Sequence, residues 1–280
     1  MQQVSDAYRQ EMERPVLGAA KLAVTLSVVD EDAAPGATDK SEHQAYWSSV
    51  ESALTQDGAQ KRSYATFEPG RWKADGSLRI ADEPGGALLT EGYVSEALSG
   101  ADGRFSAPPV LALEFETPVS VPALSFRFDQ VAEEWCTALT VTAWKGGEQL
   151  LQRQVRPKAV EHQELVQIDR FDRLEIRFEA TRQPFRRARL TRLMFGMELI
   201  FGQAELTEAA QTMEVDPIGR RLPTGEFSFS AVNVNLLTSD QNGLYDPDNP
   251  QGIWKYFEQR NPITVRYGQQ LTGGMKWGDA

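Results

Sequence analysis

Between residues 64 and 200 the chain is built from short runs in which apolar and polar residues alternate, and a turn signal closes almost every run. The runs are Val110 to Phe115, Ala123 to Phe128, Leu139 to Trp144, Leu165 to Ile168, Leu174 to Phe178 and Leu190 to Phe195. A period of two is that of an extended strand with one buried face, since successive side chains point to opposite sides of a sheet. The breaks fall at Asp75-Gly76, Gly85-Gly86, Asp102-Gly103, Thr117-Pro118 and Gly146-Gly147, residue pairs that favour tight turns. Many short strands with no long helix between them predict a mainly β fold, an antiparallel β-sandwich or jelly roll.

The flanks follow other rules. Val4, Tyr8 and Met12 fall at helical spacing, Ser5 can cap the first turn and Pro15 stops it, so a short helical arm is expected over 1–18. A helix of this length is marginal alone and needs a surface to dock on. Ala20, Leu22, Val24, Leu26 and Val28 then share one face of a strand, which opens a jelly-roll domain over 19–197. That domain carries an irregular insertion over about 30–62, where Pro35 and Gly36 break regularity and Tyr46, Val50 and Leu54 make a helical stripe. After Phe195-Gly196 a smaller β-unit is expected over 198–280. In it Phe227 and Phe229 alternate in one phase and Val232, Val234 and Leu236 in the other, a slip that implies a bulge near Ala231. The unit closes so soon after the strand Ile263 to Tyr267 that it reads as the start of a longer docking domain.

Charge narrows the partners. The 280 residues carry a formal net charge of −11, and such a field repels phosphate backbones and anionic headgroups, so neither nucleic acid nor membrane insertion is expected. No stretch approaches the roughly 20 apolar residues of a spanning helix, and MQQVSDAYRQEMERP has no apolar signal-peptide core; synthesis in the cytoplasm without a signal peptide is the expectation. Cys136 is the only cysteine and reads as a small buried thiol. With only His43 and His162, a histidine-rich metal centre is excluded, and no nucleophile elbow or phosphate-cradling loop is present. The chain is therefore read as non-enzymatic.

Three groups of side chains carry candidate chemistry. Asp240, Asn242, Asp246 and Asp248 could surround a Ca²⁺ with hard oxygens. The distal glutamate of an EF-hand is missing, however, and turn chemistry accounts for the same residues. No other cofactor is implied. Glu133 and Glu134 are paired carboxylates, but neighbours on a strand face opposite sides and would not converge on one bond. The basic run from Arg182 to Arg192 is expected to be a solvated face paired with nearby carboxylates, with Arg187, Arg189 and Arg192 on one side of a strand.

Residues 64 to 200 also resemble the discoidin-like, galactose-binding jelly-roll domains related to coagulation-factor C domains. The resemblance is carried by YATFEPGRWKADGSLRI (64–80), GYVSEALSGADGRF (92–105), PVLALEF (109–115), ALSFRFD (123–129), LTVTAWKGGE (139–148), DRLEIRF (172–178) and RARLTRLMFG (187–196). This order is similar to that of prophage tail, baseplate-type proteins, and so are AYRQEMERP and LYDPDNPQGIWKYFEQRNPITVRYG on either side; Leu236-Leu237 and Tyr245 depart from the pattern. The resemblance implies a structural tail component of the virion, acting in assembly as an oligomer with other tail proteins. It implies as the alternative a carbohydrate-binding module that grips a cell-surface glycan through its loops. In that alternative Asp102, Arg104, Glu134 and Trp135 are the ligand-binding candidates, Trp135 as an aromatic platform and Glu134 accepting sugar hydroxyls.

Overall fold

The computed structural model describes residues 20–29, 33–55, 66, 68–71, 75–76, 92–202, 206–213, 225–231, 248–249, 252–257, 261, 263–271 and 274–279. The helix expected over the first fourteen residues and the strand Val232 to Leu236 lie outside them. In chain order the strands are β1 (Ala20–Val29), β2 (Ala37–Asp39), β3 (Tyr93–Leu98), β4 (Val110–Arg127), β5 (Cys136–Lys145), β6 (Glu148–Val155) and β7 (Glu161–Thr181). They continue as β8 (Arg187–Leu190), β9 (Arg192–Met194), β10 (Gly196–Phe201), β11 (Leu206–Met213), β12 (Gly225–Ala231), β13 (Ile263–Leu271) and β14 (Gly274–Asp279). Helix α1 (Val50–Thr55) lies between β2 and β3. The chain divides into two compact units, one formed by Val29–Met197 and the other by Met1–Val28 with Glu198–Ala280.

The larger unit is an antiparallel β-sandwich. One sheet runs in the order β2-β4-β7-β5-β6, with β9 pairing β4, and β3 pairs β8 in a second, smaller sheet. The core between them is continuous: Leu111, Leu113, Phe115, Phe126, Leu139, Val141, Leu174, Ile176 and Phe178 from the large sheet meet Tyr93, Ala188 and Leu190. Tyr93 stacks on Phe178 at 5.3 Å, and Phe115 meets the edges of Phe171 and Phe195. Cys136 is buried and free, and burial pushes its thiol up to about 12, which makes it inert as a nucleophile.

Two pairs of expected strands are each one long strand here. β4 runs through Thr117-Pro118, where a turn was expected, and β7 contains both Leu165 to Ile168 and Leu174 to Phe178. The reason is visible in the phase of the buried residues. Leu111, Leu113, Phe115, Val119 and Val121 are buried at odd positions, then Leu124, Phe126 and Phe128 at even ones. The pairing of β4 with β7 shifts at Glu114/Val119, Val119/Val121 and Val121/Ala123. Bulges absorb Pro118 and Pro122 without ending the strand, because an extra residue bends a strand and leaves its partner paired. Only the last part of the Tyr46-Val50-Leu54 stripe is helical: Ser49 Oγ accepts from the Ser52 N–H at the start of α1, Val50 and Leu54 are buried, and Tyr46 is exposed.

In the other unit the sheet order is β10-β1-β13-β14. β1 was expected to open the jelly roll; instead it pairs antiparallel with β13, from Ala20 opposite Gln269 to Leu26 opposite Ile263. Alternation fixes which face of a strand is buried but carries no information on its partner. β11 and β12 form a hairpin whose register shifts between Leu206 and Glu208, on the strand facing Ala231 and Ser230. Phe201 and Phe229 pack at 5.6 Å beside it.

Candidate functional site

Asp102 and Arg104 sit in a tight loop that is tied to the end of β7. Gly100 N–H donates to Arg104 O at 2.6 Å and Gly103 N–H to Gly100 O at 3.0 Å, which curls the loop on itself. Thr181 N–H then donates to Gly103 O, Phe105 N–H donates to Glu179 O, and Arg104 bridges to Ala180. The Asp102 carboxylate accepts from Arg104 N–H at 3.0 Å, a local bond that aspartate offers readily in turns. Gly103 has φ +77°, and a Cβ there would lie 2.7 Å from Thr181 O. Gly103→Ala should therefore cost at least about 1–2 kcal/mol in a urea denaturation experiment, whereas Gly146→Ala, whose added Cβ meets nothing within 4 Å, should cost only its positive φ.

This loop walls a groove of about 630 Å³, within the range of small-ligand sites, whose lining includes Thr140 of β5, Gln154 of β6, Arg156 and Glu179 of β7. Thr140 Oγ1 donates to Glu179 at 3.3 Å. The Arg104 and Arg156 guanidiniums have no ion-pair partner among the described residues, so their donors are unspent. The outward phase of β5, β6 and β7 supplies these polar side chains. Their alternation with the core was legible in the sequence, but which strands lie side by side was not.

Glu134 and Trp135 stand elsewhere. The chain turns between Asp129 and Glu134, which exchange backbone hydrogen bonds of 3.1 and 3.0 Å, with Glu133 at φ +51°. Glu133 is exposed and Glu134 points into the protein, so the two carboxylates diverge as expected. Glu134 accepts from Arg186 Nε at 2.6 Å and lies 3.5 Å from Arg71. One face of Trp135 carries the Arg182 guanidinium, 4.4 Å from the ring centroid, and the ring packs against the core. The space beside them is only about 10 Å³, room for no more than a water.

Behind Glu134 lies a network of three carboxylates and three guanidiniums. Glu68, fully buried, accepts from Arg189 Nη1 at 2.7 Å and again from Nη2, as well as from Thr66 Oγ1 and Arg187 N–H. Arg71 is paired with Asp129 and lies 3.8 Å from Glu68. Burial alone would raise the Glu68 carboxyl, but the hydrogen bonds and charge of Arg189 overcome it, and with the Arg187 and Thr66 bonds they hold it down at about 2. The basic run was expected to be a solvated face. Its pairing with carboxylates is as expected, but Arg186 and Arg189 are buried, because residues 68–71 cover them and supply Glu68 and the Pro69 carbonyl.

A second groove of about 590 Å³ has an apolar floor at Ala97, Ala107, Pro108, Pro109 and Val110. Charges on and beside its rim pair with one another, Lys40 with Glu114, His43 with Glu96, and Arg173 with Glu175. Of the calcium candidates, Asp240, Asn242 and Asp246 lie outside the described residues, and Asp248 is exposed. Among the described residues no cluster of three or more metal-ligating side chains converges.

No family model and no curated protein matches the chain. Among solved structures it is similar to the family 32 carbohydrate-binding module of Clostridium perfringens NanJ, in complex with galactose, at 9% identity and a TM-score of 0.36 over 63% of this chain and 99% of that one. It is also similar to the CBM32-1 and CBM32-2 domains of C. perfringens ZmpB, at 11% identity and 0.36 over 70% of this chain and 40% of that one. A third is chitosan-binding module 2 of a Paenibacillus sp. chitosanase/glucanase, in complex with chitotriose, at 7% identity and 0.31 over 59% of this chain and 95% of that one. Overlays of this quality assign no ligand to the chain, and its β-sandwich rests on its own strand pairing. None of these three is a tail or baseplate protein.

Proposed function

We propose that the larger unit is a non-catalytic carbohydrate-binding module and that the groove walled by Asp102 and Arg104 is its glycan site. The observation that carries this reading is the groove's mixed polar lining: two carboxylates, two guanidiniums, an amide and three threonine hydroxyls, on a surface with no net charge, where the Arg104 and Arg156 guanidiniums have no ion-pair partner among the described residues. A neutral ligand rich in hydroxyls, each both donor and acceptor, satisfies such a mixed rim. A phosphate would meet Asp102 and Glu179, and a cation would meet Arg104 and Arg156. The apolar groove is less suited, since its floor is apolar and, Glu42 apart, its rim charges face one another. A binding role in place of catalysis agrees with the buried carboxylates: Glu68, Asp129 and Glu134 are all held by guanidiniums and none faces a substrate-sized space.

The test is isothermal titration with the methyl glycosides of galactose, N-acetylgalactosamine, glucose and N-acetylglucosamine. At least one should bind, and the double variant Asp102→Ala/Arg104→Ala should lower its affinity about tenfold or more, as expected for lost hydrogen bonds to charged groups. Binding that the double variant leaves unchanged would overturn the assignment of the groove.

A further inference from the structure

The apolar groove holds negative charge that the ion pairs around it do not cancel. Lys40 is matched by Glu114 and Arg173 by Glu175. Glu42 and Glu96 are left, both exposed and both lining the groove. Glu42 has no ion-pair partner among the described residues. Glu96 has only His43, at 3.8 Å, which is a counter-charge only when the imidazole is protonated.

The backbone fixes this acidic edge at both ends. Lys40 N–H donates to Ala112 O at 2.9 Å and Ala112 N–H to Ser41 Oγ at 2.9 Å, which fastens the chain after β2 to β4. A little further on, Glu96 N–H donates to His43 O and Ala45 N–H to Val94 O, both at 2.9 Å, which fastens it to β3. Between these anchors His43 has φ +55°. A left-handed residue breaks the alternation of an extended chain, so Glu42 and His43, which would face opposite sides of a strand, both line the groove.

The floor is built just as firmly. Pro109 O accepts from Phe178 N–H at 2.9 Å, which ties the loop before β4 to β7. Neither Pro108 nor Pro109 has an N–H to offer, and the ring of each fixes its φ. With Ala97, Ala107 and Val110 they make a surface that can cover an apolar body but offers no side-chain hydrogen bond to a hydroxyl. The volume, about 590 Å³, has room for a small molecule. Two fixed carboxylates at its edge add a requirement for positive charge.

We infer that this groove is a second binding site, for a small organic cation: an ammonium held by Glu42 and Glu96 on an apolar body that lies over Pro108 and Pro109. The site shares no lining residue with the groove of Asp102 and Arg104 and does not rest on the glycan reading.

The experiment is an amide shift titration of the full chain with phenethylammonium chloride and with two probes of the same body, 2-phenylethanol and 3-phenylpropionate. Phenethylammonium should give saturable shifts at His43, Glu96, Ala97, Val110 and Ala112. The uncharged alcohol should bind there about fivefold more weakly, as expected for the loss of attraction to exposed carboxylates, and the carboxylate probe more weakly still. The double variant Glu42→Gln/Glu96→Gln should bind the ammonium no better than the alcohol. If phenethylammonium gives no saturable shifts, or shifts centred away from these residues, the site is overturned. If the wild type binds the alcohol as tightly as the ammonium, the cation class is overturned. If the double variant keeps the full preference for the ammonium, Glu42 and Glu96 are not what selects it and the inference fails.

Discussion

Glu68→Gln should destabilise the larger unit by about 3–5 kcal/mol, because it leaves a buried guanidinium without its counter-charge. The side chain of Glu68 is fully buried, its two oxygens are held by Arg189, and it also accepts the Arg187 N–H that opens β8. A glutamine of the same shape keeps some of these bonds but neither the charge nor both acceptors. The pH dependence follows from the depressed carboxyl, at about 2 against an ordinary 4.5. A group whose pKa is lower in the folded protein contributes stability that is present above its unfolded value and is lost as the pH falls through the folded value. The wild type should therefore lose stability between about pH 4.5 and pH 2 in urea titrations, and Glu68→Gln should lose less over the same window. Equal acid sensitivity of the two proteins would show that Glu68 does not carry this linkage.

The second large effect is expected at the centre of the sandwich. Phe178→Ala should cost about 3–5 kcal/mol, the sum of lost apolar burial and the cavity left behind. Phe178 is 0% exposed, lies on β7 between two paired neighbours, and stacks on Tyr93 of the opposite sheet at 5.3 Å, so it joins the two layers directly. Phe178→Leu should recover most of the loss. Tyr93→Phe is an internal control of opposite sense. The Tyr93 hydroxyl is buried with no hydrogen-bond partner among the described residues, so removing it should be neutral or stabilising. Chemical denaturation of the three variants checks all of this, and a Tyr93→Phe loss as large as that of Phe178→Ala would contradict the packing described for this layer.

How far the sequence could be read depended on whether the information was local. The two-residue period exposed the strands and most of the core, since burial of Leu111, Leu113, Leu174 and Ile176 follows from alternation alone. It misplaced strand ends where bulges changed the phase, as at Glu114/Val119, because Thr117-Pro118 reads as a turn whether or not pairing continues beyond it. Asp102 and Arg104 were recognisable as a loop pair because Asp-Gly is a local signal. Glu179, Thr140, Gln154 and Arg156 were not, because three separate strands bring them to one groove. The ion network was out of reach for the same reason: Arg189 and Glu68 are 121 residues apart, and a run of arginines looks the same whether water or a covering segment meets it. Trp135 and Phe185 show the same limit, for an aromatic residue in a loop reads alike whether a guanidinium covers its ring, as with Trp135, or solvent does, as with Phe185.

The most direct test of the central claim is to map where a sugar binds, by backbone amide shift perturbation in the isotopically labelled chain titrated with the four methyl glycosides. The expected result is a saturable set of shifts confined to Gly100–Arg104, Thr137–Thr140, Gln154–Arg156 and Glu179–Thr181. Shifts centred instead on Lys40, His43 and Pro108–Val110 of the apolar groove, or no saturable shifts with any of the four, would contradict it.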